Sequence, residues 1–364
     1  MIESFRIQNF RCFADLTIGP LGRVNLIAGK NNAGKTALLE ALFLYSGKAG
    51  QAGRWLDLVG RGSPRRPSSS ADLAVEGIKW LFPNRQHAPG RTAIVMDGVL
   101  QGGKVNRLSA QFSTGQPFRP AFGPGGPSFQ GPQGPEFLGE DPHQEDLVID
   151  FVDGGRSSRA TIHLARGDGI ATTEFNGEGE AIPCRFLPPA SKLNERDLTR
   201  FSELKIEKRD RAIVEALRLF EPRLTELQIL VAPEVALHGD VGNGRLLPVS
   251  IMGDGVQRLG SILMASIAAA GGLLLIDEIE NGIHHSVLKQ VFEVIGHAAR
   301  ENDIQIFATT HSYECIQAAQ SAFAGEHAND LRLHRLEMVK GELKAITFDP
   351  EDLATAVDME HEVR

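Results

Sequence analysis

The apolar positions of the chain change period several times, and each change marks a different kind of element. Between Ile2 and Ile18, short runs that alternate apolar and polar residues predict β-strands separated by turn residues, at the edge of the sheet that Val24 to Ala28 enters. Val24 to Ala28 is instead apolar in most positions, as in a strand buried on both faces, and leads within a few residues to a helical pattern from Lys35 to Tyr45. Periodicity lapses from Gly47 to Ser70, where Gly, Ser, Pro and the arginines Arg61, Arg65 and Arg66 gather ahead of a helical stretch near Ala71 to Phe82. Thr92 to Leu187 alternates again, with hairpin signals at Gln101-Gly102-Gly103 and Asp153-Gly154-Gly155, and predicts an inserted antiparallel β-subdomain. Inside it, Ser113 to Asp146 is crowded with Pro and Gly and predicts a long exposed loop. Its Phe118, Phe122, Phe129 and Phe137 would serve as tethers to the body or as partner contacts.

From Ser191 to Leu227, Leu198, Phe201, Leu204, Ile213, Ala216, Leu217 and Phe220 recur at helical spacing among many charges, predicting a helical arm. Those charges read as a solvated face, with Lys205, Lys208, Arg209 and Arg211 as an alternative contact to a phosphate backbone. After Pro248 the pattern turns to a helix over Val256–Ala270, a strand at Leu273–Ile276, a helix over His285–Arg300, a strand at Ile304–Ala308 and a helix from Tyr313. Long crossovers between apolar strands imply a parallel sheet. Two last strands, Leu331–Val339 and Leu343–Phe348, meet at Lys340-Gly341 as a hairpin. The expected organisation is therefore an α/β core split between residues 1–46 and 248–364, with a β-rich insertion at 47–187 and the helical arm at 188–247.

At 364 residues the chain exceeds the size at which one hydrophobic core stops growing, so an insertion or a second domain is expected. With 42% hydrophobic and 23% charged residues it belongs with folded globular chains. A net charge of −8 provides no global basic field, which leaves nucleic-acid binding to a local patch or a partner. Cys12, Cys184 and Cys315 lie far apart without metal-ligand spacing, and the Met1-Ile2-Glu3 start has no leader pattern, so a cytosolic chain with free thiols is expected. The longest apolar stretch, Ile262 to Ile276, is broken by Ser266 and Gly271-Gly272 and reads as a core helix and strand, not a membrane span.

The chemistry begins at Gly29-Lys30-Asn31-Asn32-Ala33-Gly34-Lys35-Thr36, a G-x-x-x-x-G-K-T loop between a strand and a helix. Its successive N–H groups and the positive end of the helix form an anion cradle, Lys35 would reach the terminal phosphates and Thr36 would hold Mg²⁺. Leu273-Leu274-Leu275-Ile276 runs into Asp277-Glu278, placing two carboxylates at the end of a buried strand, where ligands of parallel sheets bind. Asp277 is expected to support Mg²⁺ and Glu278 to polarise the attacking water. The next strand ends at Thr309-Thr310-His311-Ser312, which puts His311 near the γ-phosphate or that water. Gly253, Asp254 and Gly255 open the helix before the Asp-Glu strand, either turning the chain or forming a second anion site for a nucleotide held by the other subunit of a C2 dimer.

The order of P-loop, insertion, Gly-rich signature, hydrophobic-Asp-Glu and strand-end His resembles that of ABC-type ATPases. More narrowly, Asn9-Phe10-Arg11, GKNNAGKTALLEAL, MGDGVQRL, LLLIDEIENGIHH and ATTHS resemble the AAA-type ATPases related to the ATPase half of OLD-family nucleases and, more distantly, SMC proteins. The resemblance covers the first 46 residues and about residues 248–364. It implies ATP and Mg²⁺ as cofactors, with Gly29, Asn31, Asn32, Ala33, Gly34, Lys35 and Thr36 at the nucleotide and Arg11 nearby. It further implies Asp277 at the metal, Glu278 as catalytic carboxylate, His311 as switch histidine and Gly253-Asp254-Gly255 as a signature acting in trans. The sequence departs from the ABC pattern in having Gly253 and Asp254 where the signature serine is usual, and His284 where a D-loop aspartate is usual. The nuclease (TOPRIM) domain of OLD proteins and the coiled coil of SMC proteins are not expected in this chain.

Two functional expectations follow. In the first, an ATPase homodimer controls a separate effector, such as a nuclease or toxin in anti-phage defence. In the second, a DNA-repair or DNA-structure ATPase binds DNA directly through Arg61–Arg66 or Lys205–Arg211. A transporter motor would need a membrane partner, and a guanine-specific switch would need an N-K-x-D motif that the sequence lacks.

Overall fold

The computed structural model describes residues 1–60, 76–83, 92–114, 145–164, 171–177, 180–231 and 234–359. A six-stranded sheet forms the centre, in the order β16(Glu342–Phe348), β15(Leu331–Val339), β3(Val24–Gly29), β14(Gln305–Thr309), β13(Leu273–Ile276), β9(Cys184–Leu187). All neighbours are parallel except the β15–β16 hairpin. β3, β13 and β14 are buried along their whole length, which is why their sequences are apolar runs and not alternations. One face, with Leu26, Leu274, Ile276 and Ile306, packs on helices α5(Asp254–Ala268), α6(Leu288–Glu301) and α7(Tyr313–Ala322). The other face, with Ile27, Leu273, Leu275 and Phe307, packs on α1(Lys35–Gly47), which is buried from Ala37 to Gly47.

Beyond α1 lies a seven-stranded antiparallel sheet, β2(Phe13–Ile18), β1(Ile2–Phe10), β4(Ile94–Leu100), β5(Val105–Thr114), β6(Glu145–Asp153), β7(Arg156–Leu164), β8(Ala171–Asn176). Its alternating strands bury one face against α1, where the Tyr45 ring meets Phe5 at 5.1 Å and Phe151 at 5.9 Å. Both expected hairpins, at Gln101-Gly102-Gly103 and Asp153-Gly154-Gly155, form here. The structure differs from expectation in two respects. β1 and β2 edge this antiparallel sheet and not the P-loop sheet, because their alternation leaves one face to solvent. β9, inside the stretch expected to be wholly antiparallel, crosses to pair in parallel with β13.

The expected helical arm forms two helices that dock on the core. α3(Glu195–Ile206) and α4(Arg211–Leu217) bury Leu198, Phe201, Leu204, Ile213, Val214 and Leu217 in the core that includes Leu259 and Leu263 of α5. A small antiparallel sheet follows, β10(Glu226–Leu230), β11(Ala236–Asp240) and β12(Leu247–Pro248), where the sequence pattern predicts only helix. α2(Gly53–Gly60) buries Trp55 beside α1, and α8(Pro350–Asp358), which no pattern announces, packs Leu353 on the opposite core. Arg61, Arg65, Arg66, Phe118, Phe122, Phe129 and Phe137 lie outside the described residues, as does most of the expected Pro/Gly-rich loop. Of the helical stretch expected near Ala71–Phe82, residues 76–79 are helical. No helix among the described residues is long and apolar enough to cross a membrane.

His334 of β15 is fully buried, with Nδ1 2.9 Å from Thr347 Oγ1 and Nε2 3.3 Å from Asn25 Oδ1. Burial, then the charge of Arg332, push its pKa down from 6.5 to about 3. The unfolded chain therefore binds the proton that the folded chain refuses. The stability due to neutral His334 is complete above pH 6.5 and is lost as pH falls toward 3, amounting to about 2 kcal/mol by pH 5. Urea unfolding at pH 7.5 and pH 5 is expected to lose that increment in the wild type and not in His334→Gln; parallel losses in both would assign the acid sensitivity elsewhere.

Candidate active site

The P-loop leaves β3 and wraps the start of α1 through three residues of positive φ, Gly29 (144°), Asn32 (64°) and Gly34 (86°). A methyl group at Gly34 would lie 2.7 Å from Cys12 Sγ and 3.0 Å from the Phe13 ring, so the β1–β2 turn closes over the loop and only glycine fits. At Gly29 it would lie 2.6 Å from the Leu336 carbonyl of β15. Asn31 and Asn32 are exposed, Ala33 half-buried, and the Ala33 N–H donates to Lys30 O at 3.2 Å. The Lys35 ammonium donates to Gly29 O at 2.6 Å and Lys30 O at 3.0 Å, which folds it along the loop. Burial lowers its pKa, while Asp277, Glu280 and Glu278 oppose that shift, so all three carboxylates act on this ammonium.

The parallel register carries the tips of β3, β13 and β14 to one end of the sheet. There Thr36 Oγ1 donates to Asp277 Oδ2 at 2.9 Å, and Thr309 Oγ1 donates to Asp277 Oδ1 at 2.5 Å. Thr309 Oγ1 also accepts the Glu278 N–H at 2.8 Å. Glu278 itself sits at φ 48°, a left-handed conformation that is costly for a residue with a side chain and recurs at functional sites. The hydroxyl of Thr36, in the first turn of α1, and the carboxylate of Asp277, just past the end of β13, are hard oxygen donors 2.9 Å apart, a pair that fits Mg²⁺. Among the described residues, no group of three or more His, Cys, Asp or Glu converges to hold a metal unaided.

His311 reaches the same end of the sheet, but its Nδ1 contacts Glu280 Oε1 at 3.2 Å, and Glu280, not Glu278, is its partner. The same oxygen accepts from Thr310 Oγ1 at 2.8 Å and from the His311 N–H at 3.0 Å. Glu280 Oε2 is buried and, among the described residues, makes no hydrogen bond. Behind the carboxylates, buried Arg258 of α5 donates through Nη2 to Asp277 O at 2.7 Å and Glu278 O at 3.1 Å, and through Nη1 to Pro188 O at 2.9 Å. Sequence reasoning missed Arg258, Glu280 and Thr309. Arg258 stands one helical turn after Asp254, Glu280 lies inside a motif quoted only for its resemblance, and Thr309 is at a position read only as a strand end.

Arg11 lies where β1 turns into β2, at φ 50°, its Nε 2.9 Å from Glu40 Oε2 on α1. Its guanidinium is therefore tied to the helix that follows the P-loop. Gly253 (φ 114°) begins α5 in open space, and Asp254 is exposed and paired with Lys192 at 3.1 Å, which turns its carboxylate onto its own chain. Gly255 is buried, and a methyl group there would meet the Phe220 ring at 2.5 Å, so its glycine is required by packing.

Two family models match the chain. One, described as "AAA ATPase domain", covers residues 1–55, and one described as "AAA domain, putative AbiEii toxin, Type IV TA system" covers residues 178–316. Both matches are to AAA-type ATPase domains, and the chain is an ATPase. Among its curated relatives, the ATP/GTP phosphatase of Helicobacter pylori is 22% identical over 351 residues, 87% of each chain. The DNA replication and repair protein RecF of Idiomarina loihiensis is 35% identical over 109 residues, 30% of this chain and 28% of RecF. The uncharacterized protein MJECL10 of Methanocaldococcus jannaschii is 53% identical over 45 residues, 12% of this chain and 20% of that protein. The chain thus spans most of the phosphatase but under a third of the other two. The α/β P-loop ATPase fold and the ATPase activity expected from the sequence stand on these matches.

Proposed function

We propose that this ATPase works with Mg²⁺ as a homodimer closed around ATP, and that the closed state governs a separate effector. The observation that carries the reading is the hydrogen-bond chain from Thr36 through Asp277 and Thr309 to the Glu278 N–H, which joins the P-loop to both neighbouring strand tips. When bound, Mg²⁺ would neutralise charge developing on the phosphates. Thr36 and Asp277 hold it, Lys35 follows the terminal phosphates, and the Glu278 carboxylate orients and polarises water for in-line attack. His311, fixed by Glu280, senses the γ-phosphate. Gly29, Asn31, Asn32, Ala33 and Gly34 cradle the phosphates through the backbone, and Arg11 borders the nucleotide. The turn at Gly253-Asp254-Gly255 is exposed at its first two residues and is the surface offered to the partner's nucleotide.

The toxin–antitoxin wording of the model that matches residues 178–316 supports an effector of toxic or nucleolytic type, as in anti-phage defence. The test is the mass of the full chain, 39.5 kDa as a monomer, by light scattering with Mg²⁺ and a non-hydrolysable ATP analogue. Doubling is expected with the analogue and not without it; an unchanged mass rules out the closed dimer. Failure of that closed dimer to retain any product of a neighbouring gene would leave a solitary enzyme.

A second reading, a DNA-repair or DNA-structure ATPase, is favoured by the RecF likeness. It predicts salt-sensitive stimulation of ATP turnover by double-stranded DNA. Within the Lys205–Arg211 segment the charge is largely answered locally. Lys205 pairs with Asp210 and Glu226, Arg209 with Glu207, and Arg211 with Glu215.

A further inference from the structure

At the open edge of the six-stranded sheet lies a cavity of about 350 Å³ whose lining includes four arginines. Arg185 comes from edge strand β9, Arg196 and Arg200 from α3, and Arg54 from α2, while Asp57 and Asp197 are the acidic residues of the lining. Four arginines against two aspartates leave two positive charges in excess. Asp197 is already engaged, accepting from the Asn194 N–H at 3.0 Å and from Asn194 Nδ2 at 2.7 Å to cap α3, with Arg200 no nearer than 4.0 Å. Among the described residues, neither Arg185 nor Arg196 forms an ion pair. Burial, then the like charges of Arg200 and Arg196, weaken the hold of Arg185 on its proton.

Gathering guanidinium groups in one concavity costs energy unless an anion answers them. Arginine's planar fork binds phosphate through paired N–H donors. The volume matches a small molecule. None of the P-loop residues line this cavity, so it is separate from the nucleotide cradle.

We propose that this cavity is a second anion site that takes a small ligand carrying a di- or triphosphate. The reading goes beyond the ATPase centre and does not depend on dimer closure. The full chain carrying Lys35→Ala, which removes the P-loop ammonium, is titrated calorimetrically with inorganic tripolyphosphate. Binding is expected to persist, to weaken severalfold on adding Arg196→Ala, an exposed position where folding is not at stake, and to weaken at least tenfold on adding Arg185→Gln as well. Absence of binding to Lys35→Ala, or binding that ignores both arginine changes, overturns the proposal. So does arginine-dependent binding of a single-stranded oligonucleotide in the absence of tripolyphosphate binding, which would make the cavity part of a nucleic-acid surface.

Discussion

Glu278→Gln is expected to cut ATP turnover by roughly 10²–10⁴-fold, the contribution of a positioned general base, while nucleotide affinity changes little. The exchange keeps the side chain's size and the backbone N–H that Thr309 Oγ1 accepts at 2.8 Å, so it removes a charge and a proton acceptor without disturbing the left-handed turn at φ 48°. Lys35, Thr36 and Asp277 retain their contacts, and ATP should still dock. Single-turnover hydrolysis alongside equilibrium binding of a fluorescent ATP analogue separates the two effects. Turnover within tenfold of wild type would move the base to another carboxylate. Glu280 is the next carboxylate after Glu278, and its Oε2, which makes no hydrogen bond among the described residues, makes it the control to substitute in parallel. Loss of binding together with turnover would mean instead that Glu278 supports the cradle.

The parts of this site fixed by local chemistry were legible in the sequence. A P-loop needs its glycines at set positions because Gly29 and Gly34 adopt positive φ and touch Leu336 and Cys12. Strands buried on both faces announce themselves as apolar runs, as β3, β13 and β14 do. Pairings across long sequence distances were not legible. β9 has four residues and finds β13 nearly ninety positions later through backbone bonds that carry no side-chain code. The contrast between alternating β1 and continuously buried β3 does encode their separation into two sheets, yet it is easily read as one series because only five residues separate β2 from β3. The helices of the arm were legible from their apolar spacing, but the surface that they pack on was not. The charges of the arm are conspicuous, but the apolar stripe of α3 and α4 is wide enough to be buried against α5. Thr309 and Glu280 escaped notice because their roles exist only once the strand tips are side by side.

Arg258→Met is expected to lower stability by about 3–5 kcal/mol, since it leaves one buried carbonyl, Asp277 O, and two part-buried ones, Pro188 O and Glu278 O, without this donor. For a chain of this size that corresponds to a fall in Tm on the order of 4–7 °C. Methionine fills much of the same volume, so lost packing contributes little. Arg258→Lys is the informative companion. A lysine keeps the charge that Asp277, Glu280 and Glu278 favour against burial, but as a single point it cannot span carbonyls reached by two separate nitrogens. Lysine should therefore recover part of the stability and little of the turnover. The reason is positional: the guanidinium joins α5, one turn beyond Asp254, to the strand tip that aims Asp277 and Glu278 and to the segment after β9. Calorimetric unfolding and kcat, measured on all three proteins, separate the two roles. A Met variant with unchanged Tm would show that the carbonyls find other donors, and a Lys variant with full kcat would show that charge alone positions the Walker-type strand tip.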